Sequence, residues 1–81
     1  MVKIIPSNTF KKNIKRLNQF DRDKLAKQIK KIIENPNVGK PLKYKRGERS
    51  LYIKPFRLLY AIRGEDIILL TFGHRKNVYD K

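Results

Sequence analysis

The chain has 81 residues, of which 21 are Lys or Arg and seven are Asp or Glu, so its formal net charge is +14 at pH 7. A chain of this length forms at most one domain, and we predict a single domain over residues 1–81. The absence of cysteine excludes a disulfide framework and a thiolate metal site.

The sequence contains no candidate membrane span. Its longest apolar run, Ile67 to Leu70, is far shorter than the roughly 20 residues that a membrane helix needs. Lys3 and Pro6 interrupt the only stretch near the start that could be compared with a signal peptide. Together with the lack of cysteine, these features lead us to expect a cytoplasmic protein with no membrane partner.

The excess of positive charge is the main indication of function. A domain this basic repels itself, and a polyanion or an acidic partner relieves the repulsion. Lys-rich surfaces also occur in heat-adapted proteins, but those proteins usually balance Lys with Glu, and this chain does not. The charge therefore favours a nucleic acid or an acidic protein as the partner.

The first half of the chain predicts one strand and two helices. A strand over Val2–Ile5 is stopped by a proline, and a first helix runs from about Thr9 to Leu17. After a connection over residues 18–20, Asp21 is the predicted N-cap of a second helix, which Asn35-Pro36 ends. Each helix has one apolar stripe at helical spacing, formed by Phe10, Ile14 and Leu17 in the first helix and by Leu25, Ile29, Ile32 and Ile33 in the second.

The second half predicts four further strands, separated by turns that contain Gly or Pro. The last of them is apolar on both faces, which places it centrally in the sheet. Two amphipathic helices joined by a short link form an antiparallel hairpin. We therefore predict an α+β fold of order β-α-α-β-β-β-β, with the helix hairpin on one face of a mostly antiparallel sheet. The four strands are Pro41–Lys45, Ser50–Lys54, Phe56–Arg63 and Asp66–Phe72.

One face of this predicted sheet stays uncovered. Because successive strand residues point to opposite faces, Arg57 lies on the face opposite to the apolar residues that pack against the helices. The same alternation in the preceding strand puts Tyr52 and Lys54 beside Arg57. We expect the uncovered face to be partly open and positively charged, which suits a nucleotide backbone.

The segment after the last strand contains the only histidine of the chain. A lone histidine in a basic protein is more often a surface or packing residue than a catalytic one. We expect Gly73 to bend the chain sharply where it leaves the sheet. Such a bend would direct His74 and Arg75 back over the uncovered face.

Cations and aromatic rings alternate between residues 40 and 57. Seven Lys or Arg and three aromatic side chains fall in this segment, with Glu48 as its only acid. Cations bind phosphates and aromatic faces stack on unpaired bases, although cations on edge strands also prevent aggregation between sheet edges. Both roles can hold at once, and we predict RNA binding for Lys43, Lys45, Arg46, Arg49 and Tyr52.

The sequence offers no site for metal-dependent chemistry. Apart from helix caps, no two acids stand where they could share a metal ion, and no Gly-rich phosphate loop is present. We expect neither a metal nor a cofactor. A metal-free route to RNA cleavage remains, in which the 2′-hydroxyl of the substrate attacks the adjacent phosphate. That route needs a base, an acid and cations near the phosphate, which Lys, Arg, His and Tyr can supply.

Three segments carry a family resemblance. They are Gly39-Lys40-Pro41-Leu42-Lys43, Phe56-Arg57-Leu58-Leu59-Tyr60 and Gly73-His74-Arg75-Lys76-Asn77-Val78-Tyr79. With the size, charge and element order of the whole chain, they resemble the RelE/ParE superfamily of toxins from type II toxin–antitoxin systems. The resemblance implies a RelE-like, microbial ribonuclease-like fold. It also implies the activity of the RelE-like mRNA interferases, which cleave mRNA in the ribosomal A site and inhibit translation.

The resemblance implies catalytic roles for five residues. Arg57 matches an arginine that contacts the scissile phosphate. Arg75 matches an arginine that stabilises charge and is a candidate to protonate the leaving oxygen, with His74 beside it as a competing acid. Tyr79 matches a tyrosine that stacks on or orients the nucleotide. Lys54 falls near the position of a lysine that is a candidate base in RelE.

The chain also departs from one branch of the superfamily. The YoeB branch uses a glutamate as base, directly before its Pro-Leu-Lys segment. This chain has Lys40 at that position, and we expect the nearby Glu48 to lie on a turn. The identity of the general base and the general acid therefore stays open among Lys54, His74 and Arg75.

Three functions are compatible with the resemblance. The first is a ribosome-dependent endoribonuclease, which the cluster of Arg57, His74, Arg75 and Tyr79 favours. The second is a ParE-like toxin that binds DNA gyrase without cleaving RNA, and the third is an inactive member that only binds RNA or an acidic partner. The first two imply a cognate antitoxin, with an acidic tail that folds on binding, and a higher-order toxin–antitoxin assembly. The first also implies the ribosome and mRNA as partners.

Overall fold

The computed structural model describes residues 2–43 and 47–74. Its elements follow the predicted order, with one additional 3-10 turn between the second helix and the second strand. The helices are α1 (Asn8–Ile14) and α2 (Gln19–Glu34), the 3-10 turn covers Pro36–Val38, and the strands are β1 (Ile4–Pro6), β2 (Lys40–Pro41), β3 (Glu48–Ile53), β4 (Phe56–Arg63) and β5 (Asp66–His74).

The five strands form one sheet in the order β1-β5-β4-β3-β2. β1 is parallel to β5, and the other three strand pairs are antiparallel. The apolar side chains of both helices pack against one face of this sheet. The predicted α+β fold, with a helix hairpin on a mostly antiparallel sheet, is confirmed. β5 lies inside the sheet as predicted, although β4 is the central strand.

Side chains that cap the backbone set the start of both helices. The Ser7 hydroxyl accepts a hydrogen bond from the Phe10 amide at 3.0 Å, so α1 begins one residue before the predicted position. The Asn18 side chain accepts from the Asp21 amide at 2.8 Å. Asn18 is therefore the N-cap of α2, and the prediction of Asp21 as the cap is wrong. Asp21 instead lies in the first turn, where a negative charge is favourable.

Arg22 ends the first helix earlier than predicted. Its guanidinium donates to the carbonyls of Ile14 at 2.8 Å, Lys15 at 3.2 Å and Leu17 at 3.0 Å. Carbonyls at the end of a helix lack partners within the helix, and Arg22 supplies them, so α1 stops at Ile14. In the described part of the chain, neither helix combines the length and apolar character that a membrane span requires.

The chain leaves β1 and continues as α1 along the same edge of β5. The Ser7 hydroxyl donates to the Leu70 carbonyl at 2.7 Å. Six residues further along the chain, the Asn13 side-chain oxygen accepts from the Phe72 amide and from the Thr71 hydroxyl, each at 2.9 Å. Asn13 therefore occupies the place that a longer β1 would have taken, and it satisfies the exposed backbone of β5.

The core lies between the helices and the sheet. Its most deeply buried side chains are Tyr60, Ile32, Leu58 and Ile67. Phe10 anchors α1 in this cluster. The predicted apolar stripes are confirmed except for Ile33, which is 42% exposed.

The predicted strand boundaries differ from the structure everywhere except in β4. β2 covers only Lys40–Pro41, and the rest of the predicted strand is a turn at Lys43 or lies outside the described residues. Glu48 begins β3 instead of lying on a turn. At the other end, β5 continues through His74, two residues further than predicted.

A bulge interrupts the pairing of β4 with β5. Leu59 pairs with Thr71 but Tyr60 pairs with Leu69, so Leu70 is an extra residue on β5. Ile67 and Leu69 face the helices before the bulge, whereas Phe72 faces them after it. The bulge therefore exchanges the two faces of β5 over its last residues.

We predict that Asn13→Ala lowers the free energy of unfolding by about 1–3 kcal/mol, because the Phe72 amide loses its acceptor at a half-buried edge. Urea denaturation measures the change. Asn8→Ala, at an exposed position of the same helix, is the matched control and should change stability by less than about 0.5 kcal/mol. Equal losses in both variants would contradict the role of Asn13.

Candidate functional site

Arg57 and Tyr52 stand opposite each other on β4 and β3. The guanidinium carbon of Arg57 lies 4.7 Å from the centre of the Tyr52 ring, which is a cation–π contact. Tyr52 is 42% exposed, and Arg57 is half-buried. The contact holds the guanidinium against the Tyr52 ring, and an arginine bound to an aromatic face can still donate hydrogen bonds to an anion.

One nitrogen of Arg57 has an unusual environment. Its Nε is buried and has no hydrogen-bond partner within the described part of the chain. Buried polar atoms are almost always hydrogen-bonded, and leaving one unpaired costs about 1–3 kcal/mol, or more when it is charged. The guanidinium group suits a phosphate, because its N–H groups form charge-assisted hydrogen bonds to phosphate oxygens.

A pocket of about 320 Å³ lies beside this pair. Its volume falls at the lower end of the range for small-molecule sites. The lining contains two cations and one aromatic ring, and no carboxylate comes from the described residues. The residues that line it are Val38, Lys40, Ser50, Leu51, Tyr52 and Arg57.

Part of the sheet face that carries Arg57 is closed to solvent. Ser50, Leu59 and Ala61, which share the face with Arg57 by strand alternation, are only 4%, 7% and 4% exposed. Because Tyr52 on the same face is 42% exposed, the face is partly open, as predicted. Among the described residues, the pocket beside Arg57 and Tyr52 is the accessible part that combines an aromatic ring with cations.

Lys54, a predicted catalytic residue, lies in the two-residue turn between β3 and β4 and is exposed. Its carbonyl accepts a hydrogen bond from the side chain of Lys24 on α2 at 2.8 Å. Lys54 is close to Arg57 in the chain but does not line the pocket beside it.

The structure does not place His74 beside Arg57. Gly73 pairs with Arg57 and His74 pairs with Phe56, so β5 continues straight through both residues. Phe56 faces the helices, and the register puts His74 on that same face, opposite to Arg57. The predicted sharp bend at Gly73 is wrong, and the bulge in β5 explains why His74 lies on the other face.

Arg49, a predicted RNA-binding residue, is engaged inside the protein. Its guanidinium donates to the Asn37 carbonyl at 3.1 Å and to the Gly39 carbonyl at 2.6 Å. Alternation along β3 puts Arg49 on the helix face, away from Tyr52. Its contacts fasten the segment that precedes β2.

Tyr60 also holds the segment that precedes β2. Its hydroxyl donates to the Pro36 carbonyl at 2.6 Å and accepts from the Gly39 amide at 2.9 Å. A Cβ atom on Gly39 would lie only 2.8 Å from this hydroxyl oxygen, so the close approach requires glycine. Burial raises the pKa of Tyr60 above its ordinary value, although the Gly39 hydrogen bond and the charge of Arg49 act in the opposite direction.

Lys43, another predicted RNA-binding residue, does not line the pocket. Lys43 is exposed in the turn after β2. Within residues 2–43 and 47–74, no three His, Cys, Asp or Glu side chains are grouped as metal ligands. The predicted site residues that lie outside the described residues are Lys45, Arg46, Arg75 and Tyr79.

Three residues of this region were not assigned a role from the sequence. Lys40 and Val38 line the pocket, and Tyr60 holds the segment that carries them. Lys40 and Tyr60 belong to the segments that carry the family resemblance. The sequence alone does not show what these residues contact. In the structure, Lys40 pairs with Ser50 across β2 and β3, and the Tyr60 hydroxyl contacts Gly39, which is 21 positions away in the chain.

A family model described as the ParE toxin of the type II toxin–antitoxin system parDE matches residues 4–79. The match spans both helices and all five strands. The chain belongs to the ParE toxin family. The predicted membership of the RelE/ParE superfamily is thereby confirmed. No curated protein matches the sequence of this toxin.

Solved structures share the fold of this toxin. The intact Escherichia coli RelBE toxin–antitoxin complex matches with a TM-score of 0.80 at 18% identity, over 89% of this chain and 94% of the other. YafQ from E. coli strain BL21(DE3) matches with a TM-score of 0.79 at 20% identity, over 98% and 99%. A metal-bound toxin from Helicobacter pylori matches with a TM-score of 0.80 at 28% identity, over 96% and 99%. The first two likenesses show the fold alone.

We predict that Tyr60→Phe lowers the stability of this toxin by about 1–3 kcal/mol at neutral pH, because the Gly39 amide and the Pro36 carbonyl lose their partner. The raised pKa adds a pH dependence. The unfolded chain releases the tyrosine proton first, near the ordinary pKa of 10.0, so wild-type stability falls as pH rises through that value.

Urea denaturation at pH 7 and between pH 9 and about 11 tests both statements. The Tyr60→Phe variant should show a smaller fall at high pH than the wild type. Tyr52→Phe, at an exposed position on the neighbouring strand, is the matched control and should follow the wild type. A Tyr60→Phe variant with wild-type stability at pH 7 would show that the two hydrogen bonds contribute nothing.

Proposed function

We propose that this toxin is a ribosome-dependent endoribonuclease that cleaves mRNA in the A site and so inhibits translation. The observation that carries the proposal is the state of Arg57. Its guanidinium is stacked on an exposed tyrosine ring, and a buried nitrogen is unpartnered within the described residues. It lies beside a pocket to which those residues contribute no carboxylate. This arrangement is built to receive a phosphate next to a nucleotide base.

The proposed reaction needs no metal ion. The 2′-oxygen of the substrate attacks the adjacent phosphorus, the bond from phosphorus to the 5′-oxygen breaks, and a 2′,3′-cyclic phosphate forms. A base takes the proton of the 2′-hydroxyl, and an acid gives a proton to the leaving 5′-oxygen. Arg57 stabilises the negative charge that develops on the phosphate oxygens. The Tyr52 ring, which contacts Arg57, stacks on a nucleotide base of the RNA.

The proton-transfer groups come from the family resemblance. Lys54, His74 and Arg75 are the candidates, with Tyr79 as the residue that orients the nucleotide. Of these, Lys54 is exposed in the turn that precedes β4, three residues before Arg57. His74 lies on the opposite face of the sheet from Arg57. The structure therefore gives more support to Arg57 as a charge-stabilising residue than to either Lys54 or His74 as a proton donor or acceptor.

The proposal includes partners and a compartment. The net charge of +14 suits the RNA-rich surface of the ribosome. The similar structures include the toxin–antitoxin complexes RelBE from E. coli and RelB–RelE from Methanococcus jannaschii. We propose that this toxin likewise binds a cognate acidic antitoxin in a higher-order assembly, and that it acts in the cytoplasm, where ribosomes are.

A second candidate function is supported by the family description, which names the ParE toxin. In that case the toxin binds DNA gyrase and cleaves no RNA. The stacked arginine and its pocket would then have no catalytic role, so the two candidates predict opposite effects of changing Arg57.

We predict that Arg57→Ala lowers mRNA cleavage by about 100-fold or more, the loss typical when one charge-stabilising group is removed from an active site. Primer extension on a defined mRNA, with and without translating ribosomes, measures new 5′ ends. Arg63→Ala removes an exposed arginine from the same strand, serves as the matched control and should cleave normally.

Arg75→Ala tests the residue that only the resemblance identifies, and we expect a comparable loss of cleavage and of growth inhibition. New 5′ ends that depend on ribosomes and disappear in Arg57→Ala would establish the nuclease. If the folded wild type produces no such ends, a DNA supercoiling assay with gyrase distinguishes the second candidate function from an inactive binding protein.

We predict that Tyr52→Leu lowers the cleavage rate about fivefold, because the contact between the ring and the guanidinium contributes about 1 kcal/mol at an exposed site. Tyr52→Phe keeps the ring and should cleave at close to the wild-type rate. A loss in Tyr52→Phe equal to that in Tyr52→Leu would instead assign the role to the hydroxyl group.

A further inference from the structure

Lys40 brings a second positive charge to the pocket beside Arg57. It pairs with Ser50 across β2 and β3, and Ser50 lies two residues before Tyr52 on the same strand. Residues that are paired across antiparallel strands, and residues two apart along one strand, share a face. Lys40 therefore lies on the same face as Tyr52 and Arg57, and it lines the same pocket.

The position of Lys40 is fixed although its side chain is exposed. Gly39, directly before it, is buried, and its amide and its carbonyl are both hydrogen-bonded, the amide to Tyr60 and the carbonyl to Arg49. Pairing with Ser50 then holds Lys40 itself. These contacts fix the backbone of Lys40 beside the pocket. Binding a ligand through Lys40 therefore costs less conformational entropy than binding through a lysine on a mobile loop.

Lys40 and Arg57 approach the pocket from two sides. Two strand spacings and two residue steps separate their Cα atoms, which amounts to roughly 12 Å. Both side chains are long enough to extend over the space between them. The described residues that line the pocket contribute no carboxylate to neutralise either cation. Two cations with no counter-ion repel each other, and a polyanion that contacts both relieves the repulsion.

We propose that Lys40 is a further RNA-contacting residue, which binds a backbone phosphate next to the one that Arg57 holds. The proposal rests on the proposed function, since it takes the substrate to be a single-stranded RNA with its backbone along the pocket. Lys40 acts as a point charge that positions the RNA backbone. The Tyr52 ring, which lines the same pocket as the two cations, stacks on a nucleotide base.

The test is a binding measurement that does not depend on cleavage. The probe is a fluorescent single-stranded RNA of about 12 nucleotides, with 2′-O-methyl groups that prevent attack by the 2′-oxygen. Fluorescence anisotropy gives its dissociation constant for the purified toxin at a series of salt concentrations. The variants are Lys40→Ala, Lys40→Arg and Lys27→Ala, the last removing an exposed lysine of α2 as a control with the same net charge.

We expect Lys40→Ala to bind about fivefold more weakly at low salt and to lower the slope of log affinity against log salt by about 0.7, the value for one phosphate contact on a single strand. Lys40→Arg should keep the slope, and Lys27→Ala should resemble the wild type. The proposal is overturned if Lys40→Ala binds within twofold of the wild type with an unchanged slope. It is equally overturned if Lys27→Ala weakens binding as much as Lys40→Ala, which would indicate a general effect of charge.

The two proposals fail in different ways. If the wild type binds the probe through Lys40 but produces no ribosome-dependent 5′ ends, the nuclease is rejected and the phosphate contact stands. If the wild type cleaves mRNA while Lys40→Ala binds the probe normally, the nuclease stands and the role of Lys40 is rejected.

Discussion

The antiparallel pairing of β4 with its two neighbours determines which side chains can act together in this toxin. Pairing with β3 puts Tyr52 opposite Arg57 and so provides the aromatic surface on which the guanidinium stacks. Pairing with β5 puts Gly73, which has no side chain, on the other side of Arg57. The register of β3 on β4 therefore brings the cation and the aromatic ring together beside the pocket.

The regular part of this arrangement could be predicted from the sequence. In β4, one face carries Phe56, Leu58, Tyr60 and Ile62 and the other carries Arg57, Leu59, Ala61 and Arg63. Both the strand bounds and the two faces agree with the prediction. A period of two is a local signal, and burial of one face enforces it. The apolar stripes of the helices were predictable for the same reason, because each stripe has to cover the sheet.

The position of His74 could not be predicted in this way. It depends on one extra residue, Leu70, which reverses the faces of β5 near its end. A run that is apolar on both sides of a strand contains no sign of a bulge, since either register buries apolar residues. The helix starts at Asn8 and Gln19 were misplaced because more than one residue near each start can act as a cap. Ser7, which also donates to the Leu70 carbonyl, caps α1, and Asn18 caps α2 by accepting from the Asp21 amide.

The division of the arginines shows how a chain with a charge of +14 can fold and still offer a binding site. Arg22 and Arg49 donate hydrogen bonds to backbone carbonyls, Arg22 to that of Ile14 and Arg49 to that of Gly39. Burying these carbonyls without a donor would lower stability. Arg57 differs, because its buried Nε has no partner within the described residues and its charge faces a pocket. The folded state therefore leaves one donor of Arg57 unsatisfied by the described residues, next to a pocket that Lys40 also lines. Under the proposed function, an RNA phosphate and an acidic antitoxin segment would both supply an anion, so substrate and inhibitor would compete for the same guanidinium.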